Sequence, residues 1–487
     1  MASQPSEYPE GTQALLEDDL GSIWTPLYHA DCSFPSDIYS QVMTNLIRNP
    51  NINSNHLFRA DILLETSYTH GTEYAPLPRL LQIQGFNLES VIIRRMIPRN
   101  MLVDKPLDQT CLIYSQKDEL GSKSLVIYLP HISSPSECPF YHPAVHGIAF
   151  LHTFNVQSQA GNISIHYSFF ESAPRTESLQ RTAFHLLRTI QKHGNGLNNG
   201  YVKKVHHDVI LPQVKTQNTY ARLKSKYAKV LITSWVEVTD PTKHVFEDLG
   251  IAAFLIELWA EMYPEGTEFP GFVDIGCGNG LLTHILLEEG YSGWGFDARK
   301  RKSWDTYSAK AQESLKEFVL IPSIIQSHKE NHYDTTNSKR TEANIQGTHP
   351  GIFPKGTFII SNHADELTPW TPILANISES PFIAIPCCSH NLTGSRFRAP
   401  PSKEAGVSSS AYASLVVWVS KLAEDCGWKL EKEMLRIPST RKACLLGRER
   451  TKPFADVDMV DMIAAYGGAA GWEENAMKLV NVGPRGH

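Results

Sequence analysis

Phe272-Val273-Asp274-Ile275-Gly276-Cys277-Gly278-Asn279-Gly280-Leu281-Leu282 reads as an apolar strand, a glycine-rich turn and the start of a helix. Glycines in such a turn permit left-handed backbone and let a ligand approach the main chain at a helix N-terminus. The spacing is D-x-G-x-G-x-G. The dinucleotide fingerprint would need glycine at position 281, where Leu281 stands. Asp297 follows 23 positions after Asp274, at the end of the next expected strand. An acid there can accept hydrogen bonds from both hydroxyls of an adenosine ribose, in nicotinamide and other adenosine cofactors alike. The glycine spacing, with Asp274 two residues ahead of it, selects S-adenosylmethionine (SAM), held by Asp274, Gly276, Gly278, Gly280 and Asp297. Cys277 has no charged sequence neighbour to activate it and reads as a small filler.

Outward from this loop, strands and helices alternate. Thr239-Asp240-Pro241 is a helix start, with a capping side chain and proline in the first turn; apolar residues at helical spacing carry it to about Met262. Strands are expected at Gly271–Ile275, Trp294–Phe296, Val319–Ile325, Thr357–Ser361, Phe382–Pro386, Lys429–Ile437 and Lys442–Gly447. Helices are expected at Leu281–Glu289, Trp304–Glu317, about Trp370–Ile377 and Ala411–Cys426. Such alternation predicts a mostly parallel sheet covered on both faces. Only a short turn separates the last two strands, so they must be antiparallel. This is the α/β arrangement of class I SAM-dependent methyltransferases, Rossmann-like with an antiparallel final hairpin. Residues 1–30 read as a loosely ordered arm, 31–200 as an N-terminal α+β accessory region, 201–450 as the methyltransferase domain and 451–487 as a C-terminal tail. His193–Gly200, rich in Gly and Asn, reads as a linker or loop; Ser327–Lys355 and Ser395–Ser410 read as long polar loops.

The 487 residues include 45 Lys+Arg, 51 Asp+Glu and 8 Cys, for a formal charge of −6. A globally basic nucleic-acid coat is excluded, so RNA contact must be local. The sparse cysteines, none in a C-x-x-C pair, fit reduced thiols in the cytoplasm. No apolar run is long enough for a membrane helix, and the N-terminus lacks secretory-signal character. Basic residues cluster at 203, 204, 215, 222, 224, 226 and 229, interleaved with tyrosines, and again at Arg299-Lys300-Arg301-Lys302. Lys224, Lys226, Lys229, Arg299 and Arg301 are the candidate RNA contacts.

In open α/β sheets, ligands bind beyond the carboxyl ends of the strands. The fourth strand runs into Asn362-His363-Ala364-Asp365-Glu366-Leu367-Thr368-Pro369-Trp370. Asp365 could position or deprotonate an acceptor or cap the following helix; Trp370 could stack a base or pack beneath the loop. After the fifth strand comes Pro386-Cys387-Cys388-Ser389-His390. Adjacent cysteines chelate one ion poorly, and no metal is expected.

The series Arg222-Leu-Lys-x-Lys-Tyr227, Ser234-Trp235, Thr239-Asp-Pro-x-Lys243-x-Val-x-Glu247-Asp248, Val273–Leu282, Asp297-Ala-Arg-x-Arg-Lys-Ser-Trp304, Asn362–Trp370 and Pro386-Cys-Cys-x-His-Asn-Leu-x-Gly394 resembles the eukaryotic tRNA (uracil-O2′) methyltransferases over residues 205–450. The resemblance implies SAM-dependent methylation of a uridine ribose 2′-hydroxyl in serine tRNA, near the variable arm, in the cytoplasm, and leaves an accessory protein open. Many Rossmann-type ribose methyltransferases share a Lys-Asp-Lys-Glu set. Lys243 and Asp365 stand where its first two members would, with no matching second Lys and Glu. Methylation of protein or a small molecule, or RNA binding without catalysis, are the alternatives that fold alone leaves open.

Overall fold

In the computed structural model, residues 4–67, 77–101, 103–117, 121–171, 176–201, 207–325, 347–401 and 410–480 are described. The chain forms two compact units, Met1–Lys203 and Lys204–His487.

The first unit is an eight-stranded antiparallel sheet: β1 (Ser6–Glu7), β2 (Trp24–Cys32), β3 (Leu57–Ser67), β4 (Asn87–Pro98), β5 (Leu107–Lys117), β6 (Gly121–Pro130), β7 (Gly147–Asn155) and β8 (Ala160–Ser168), in the order β1-β2-β8-β7-β6-β5-β4-β3. Helices α1 (Ser36–Arg48) and α2 (Glu177–Asn198) pack on it. Leu179, Ala183, Leu187 and Ile190 recur at helical spacing on α2 and bury one face. Two sequence expectations fail here. The described part of the arm, residues 4–30, is not loose: Ser6 pairs with His29 in the sheet, Leu16 is buried, and Asp18 accepts a 2.9 Å bond from the Trp24 indole. His193–Asn198 continues α2 rather than forming a linker. Gly194 is there because a Cβ would strike the Phe34 ring at 2.4 Å, so the glycine permits close helix packing.

The second unit holds α3 (Gln213–Thr233), α4 (Pro241–Met262) and a seven-stranded sheet. Its strands are β9 (Phe272–Ile275), β10 (Gly293–Asp297), β11 (Leu315–Glu317), β14 (Phe358–Asn362), β15 (Phe382–Ile385), β16 (Trp428–Met434) and β17 (Ala443–Arg450), ordered β11-β10-β9-β14-β15-β17-β16. All pairs are parallel except those made by β17, which runs antiparallel to β15 and β16. The order reverses between β9 and β14, the switch point where ligands bind in such sheets. The apolar strands are buried on both sides, between a core containing α4 and α5 (Leu281–Glu288) and one containing α7 (Thr371–Ile377) and α8 (Ala411–Asp425).

The expected third strand, Val319–Ile325, is displaced. The sheet uses Leu315–Glu317, and Val319–Leu320 (β12) pairs with Thr348–His349 (β13) outside it. The expected helix Trp304–Glu317 shortens to a 3-10 turn at Lys302–Thr306 and α6 (Ala309–Ser314). Residues 451–480 are no loose tail. They form α9 (Met459–Ala465) and α10 (Trp472–Lys478), and Trp472, 1% exposed, donates 2.9 Å to the Leu320 carbonyl. Most of the two polar stretches lies outside the described residues, as do Lys203 and Lys204.

Candidate active site

The glycine loop leaves β9 with Gly276, Gly278 and Gly280 at φ +68°, +54° and +73°. Each position uses glycine differently. A Cβ on Gly276 would meet Ala364 at 3.1 Å, and one on Gly280 would meet Leu315 at 2.8 Å and the Trp304 indole at 3.1 Å. Gly278 has nothing within 4 Å of such a Cβ, so a ligand can approach closely beside its Cα. The loop is anchored from the Arg301–Tyr307 segment. Trp304 donates to the Gly278 carbonyl at 3.0 Å, while the Ser303 and Tyr307 hydroxyls donate to the Asn279 carbonyl at 2.8 and 3.1 Å.

Asp297 ends β10 and accepts from the Gly278 amide at 3.0 Å, with Arg301 at 3.5 Å. Asp274 is buried beneath the loop. One carboxylate oxygen accepts from Thr283 at 2.9 Å, and the other is an orphan among the described residues. Burial pushes its carboxyl up to about 7. Open space at the Gly278 Cα, an acid at the end of β10 and a buried acid beneath the loop together fit SAM. Gly276, Gly278 and Asp297 would hold it directly, with Asp274 beneath the loop; when bound it supplies an electrophilic methyl group.

Two cavities meet at this loop. The narrower, about 190 Å³, is lined by Asp297, Arg299, Phe318, Asp365 and Trp472. The broader, about 510 Å³, is lined by Lys243, Glu247, Asp248, Asn362, Cys387 and Arg441. Gly276, Gly278, Arg301 and His363 line both. The broad cavity is framed by α4, whose start is fixed by Pro241 and by Asp240, which accepts from the Thr242 and Lys243 amides at 2.8 and 3.3 Å. One turn separates Lys243 from Glu247, so both face the cavity.

At the carboxyl end of β14, His363 and Asp365 adopt φ +51° and +43°, rare for non-glycine residues. Consecutive acids on α4 hold consecutive residues of this loop. Asp248 accepts from the Asn362 amide at 3.1 Å, and Glu247 takes the His363 ring nitrogen Nε2 at 2.9 Å. Asp248 is buried, which raises its carboxyl well above the usual range. Glu247 behaves oppositely: despite the opposing pull of burial, its partner His363 helps hold its carboxyl below the usual range. The Cys387 thiol donates to Asp365 at 2.9 Å. Asp365, Cys387 and Cys388 bring three potential ligand atoms within 4.8 Å of one another.

The sequence-predicted residues thus divide. Asp274, the three glycines and Asp297 converge on one loop. Lys243 lines the broad cavity and Asp365 the narrow one, and Asp365 does not cap α7. Trp370 is fully buried against Trp472, centroids 5.3 Å apart, and cannot stack a base. Arg299 lines the narrow cavity, and Arg301 lines both. Of the α3 lysines, Lys226 is paired with Glu289 at 2.8 Å beside Arg222, and Lys224 lies 5.0 Å over the Phe246 ring; Lys229 is exposed. Sequence reading missed the Glu247–His363 and Asp248–Asn362 pairs, whose only signal was their place in the resembling blocks. Among the described residues no helix is long and apolar enough to cross a membrane.

A family profile described as "TRM44-like, N-terminal bet v1-like domain" matches residues 6–204, and one described as "Predicted AdoMet-dependent methyltransferase" matches residues 210–322. A Neurospora crassa tRNA (uracil-O(2)-)-methyltransferase is 53% identical, covering 94% of this chain and 93% of its own. The Saccharomyces cerevisiae and Schizosaccharomyces pombe proteins of that name are 39% and 38% identical, covering 96% and 95% of this chain and 95% and 94% of their own. With a SAM-shaped glycine loop in one unit and relatives matching both units end to end, the chain belongs to the tRNA (uracil-O(2)-)-methyltransferase family.

Proposed function

We propose that this chain methylates the 2′-hydroxyl of a uridine ribose in tRNA, with serine tRNA near its variable arm as substrate, in the cytoplasm. The observation that carries the reading is the pair of cavities sharing Gly276, Gly278, Arg301 and His363: a cofactor wall and an acceptor wall built from the same residues. The names of the relatives supply tRNA and the O(2) position. A ribose hydroxyl is a poor nucleophile, so the acceptor cavity must take its proton or stabilise the negative charge that develops on oxygen as the methyl is taken up. In this reading Lys243, which lines the broad cavity, stabilises the developing alkoxide. RNA phosphates are held by Lys224 and Lys229, both exposed on α3.

Purified protein, labelled SAM and total tRNA test the reading: label enters tRNA, whereas label on protein or small metabolites alone would refute it. Charge reversal at Lys224 and Lys229 should weaken tRNA binding at low salt, flatten its salt dependence and leave SAM affinity unchanged. An unaltered salt slope would return these lysines to the ordinary solvated surface.

A further inference from the structure

Resting on that reading, we infer that His363, oriented by Glu247, is the base that takes the proton of the acceptor hydroxyl. Sequence had put Asp365 in this role. Asp365 lines the narrow cavity and its carboxylate receives the Cys387 thiol, whereas His363 lines both cavities and lies where β14 delivers its loop to the switch point.

Three observations make His363 a base rather than a packed ring. Glu247 is buried, 7% exposed at its side chain, and has its carboxyl held low, so it accepts from Nε2–H at 2.9 Å. That fixes the tautomer and leaves the lone pair on Nδ1. Nδ1 is buried and has no partner among the described residues, so an arriving hydroxyl would satisfy an acceptor that is otherwise unmet. Finally, His363 is held at φ +51°, with its amide donating to the Ile385 carbonyl at 3.2 Å. Backbone strain in a histidine persists where the surroundings over-determine it, and such residues cluster at active sites.

In the step, the hydroxyl oxygen forms a bond to the methyl carbon as the carbon–sulfur bond breaks, its electron pair going to sulfur. The hydroxyl proton passes to Nδ1, giving an imidazolium beside the Glu247 carboxylate, with a 2′-O-methyl ribose and S-adenosylhomocysteine as products. The imidazolium then returns the proton to water. Glu247 acts through His363 and is a positioning residue. Its ionised carboxylate stabilises the imidazolium as it forms, the arrangement of base and orienting acid found in acyl-transfer triads.

The test is methyl transfer to tRNA by the full chain, with SAM affinity measured by calorimetry alongside. The wild type comes first: no transfer to tRNA would overturn the proposed function itself and leave the dyad without a reaction. With wild-type transfer established, His363→Ala should lose about 10²–10⁴-fold in kcat. SAM affinity and the KM for tRNA should stay within about threefold, and added imidazole should restore part of the rate. Activity within tenfold of wild type, or a loss carried by KM and untouched by imidazole, would overturn the inference. Should His363→Ala fail to fold or to bind SAM, Glu247→Gln decides, because it preserves volume and a hydrogen bond. A fall of about tenfold or more in kcat at constant KM, partly recovered in Glu247→Asp, supports the dyad; unchanged kcat overturns it.

Discussion

Two loops leave the same edge of the methyltransferase sheet, one after β9 and one after β14, and both need left-handed backbone. The first supplies it with Gly276, Gly278 and Gly280, which adopt it without steric penalty. The second places His363 and Asp365 there, at roughly 1–2 kcal/mol each for a side-chain-bearing residue. The β9 loop works by lacking side chains, so that a ligand can approach its main chain. The β14 loop works by presenting side chains, and contacts to Glu247, Asp248 and Cys387 hold it in shape. A glycine loop therefore announces itself in sequence, and a strained loop does not.

The largest effect expected from challenging this contrast lies in the stem of the glycine loop. Asp274 is raised to about 7 in the fold from an ordinary value of 3.8. A carboxyl raised by folding contributes stability fully below pH 4 and loses it as pH rises through about 7. Asp274→Asn should therefore melt higher than wild type at pH 8 in cofactor-free protein, by at most about 4 kcal/mol, with the difference vanishing towards pH 4. Equal melting curves at both pH values would show that Asp274 is not buried as described.

Gly278→Val comes next. Its Cβ has room, so the fold should survive, but the branched side chain enters the ligand's path at an unfavourable φ. SAM affinity should fall about 100-fold, roughly 2.7 kcal/mol, in calorimetry. Gly280→Ala should do the reverse. Its Cβ meets Leu315 and Trp304, so melting should reveal about 1–3 kcal/mol of destabilisation from overpacking. If both variants lost only stability, the division between an open and a packed glycine would be broken.

The smallest effect is expected at Asp365→Asn. Asparagine tolerates left-handed backbone as well as aspartate does. With His363 as the base, turnover should stay within about tenfold of wild type; a loss of about 10²–10⁴-fold would return the role to Asp365.

The same contrast explains what could be read in advance. Strand, glycines and the acids at 274 and 297 are local in sequence, and so are the Asp240–Pro241 helix start and the β16–β17 hairpin. What escaped reading depends on distant partners. Trp370 had two readings, stacking a base or packing beneath the loop, and Trp472, about a hundred positions later, decides for packing by burying it. Gly194 sits in a helix because Phe34 packs on it. Leu315–Glu317 pairs at the sheet edge with two exposed side chains, Lys316 and Glu317, so it carried no apolar run. Lys226 pairs with Glu289, which caps the C-terminus of α5, 63 positions later. The Glu247–His363 pair joins residues 116 positions apart and could only be seen in three dimensions.

The proposed methyl acceptor is a ribose oxygen of uridine in tRNA. The most direct test is to methylate serine tRNA with labelled SAM and hydrolyse the product in alkali, which needs a free 2′-hydroxyl to cleave the chain. Ribose methylation puts the label in an alkali-resistant dinucleotide whose first nucleoside is uridine. Label released in a mononucleotide would place the methyl on the base and contradict it.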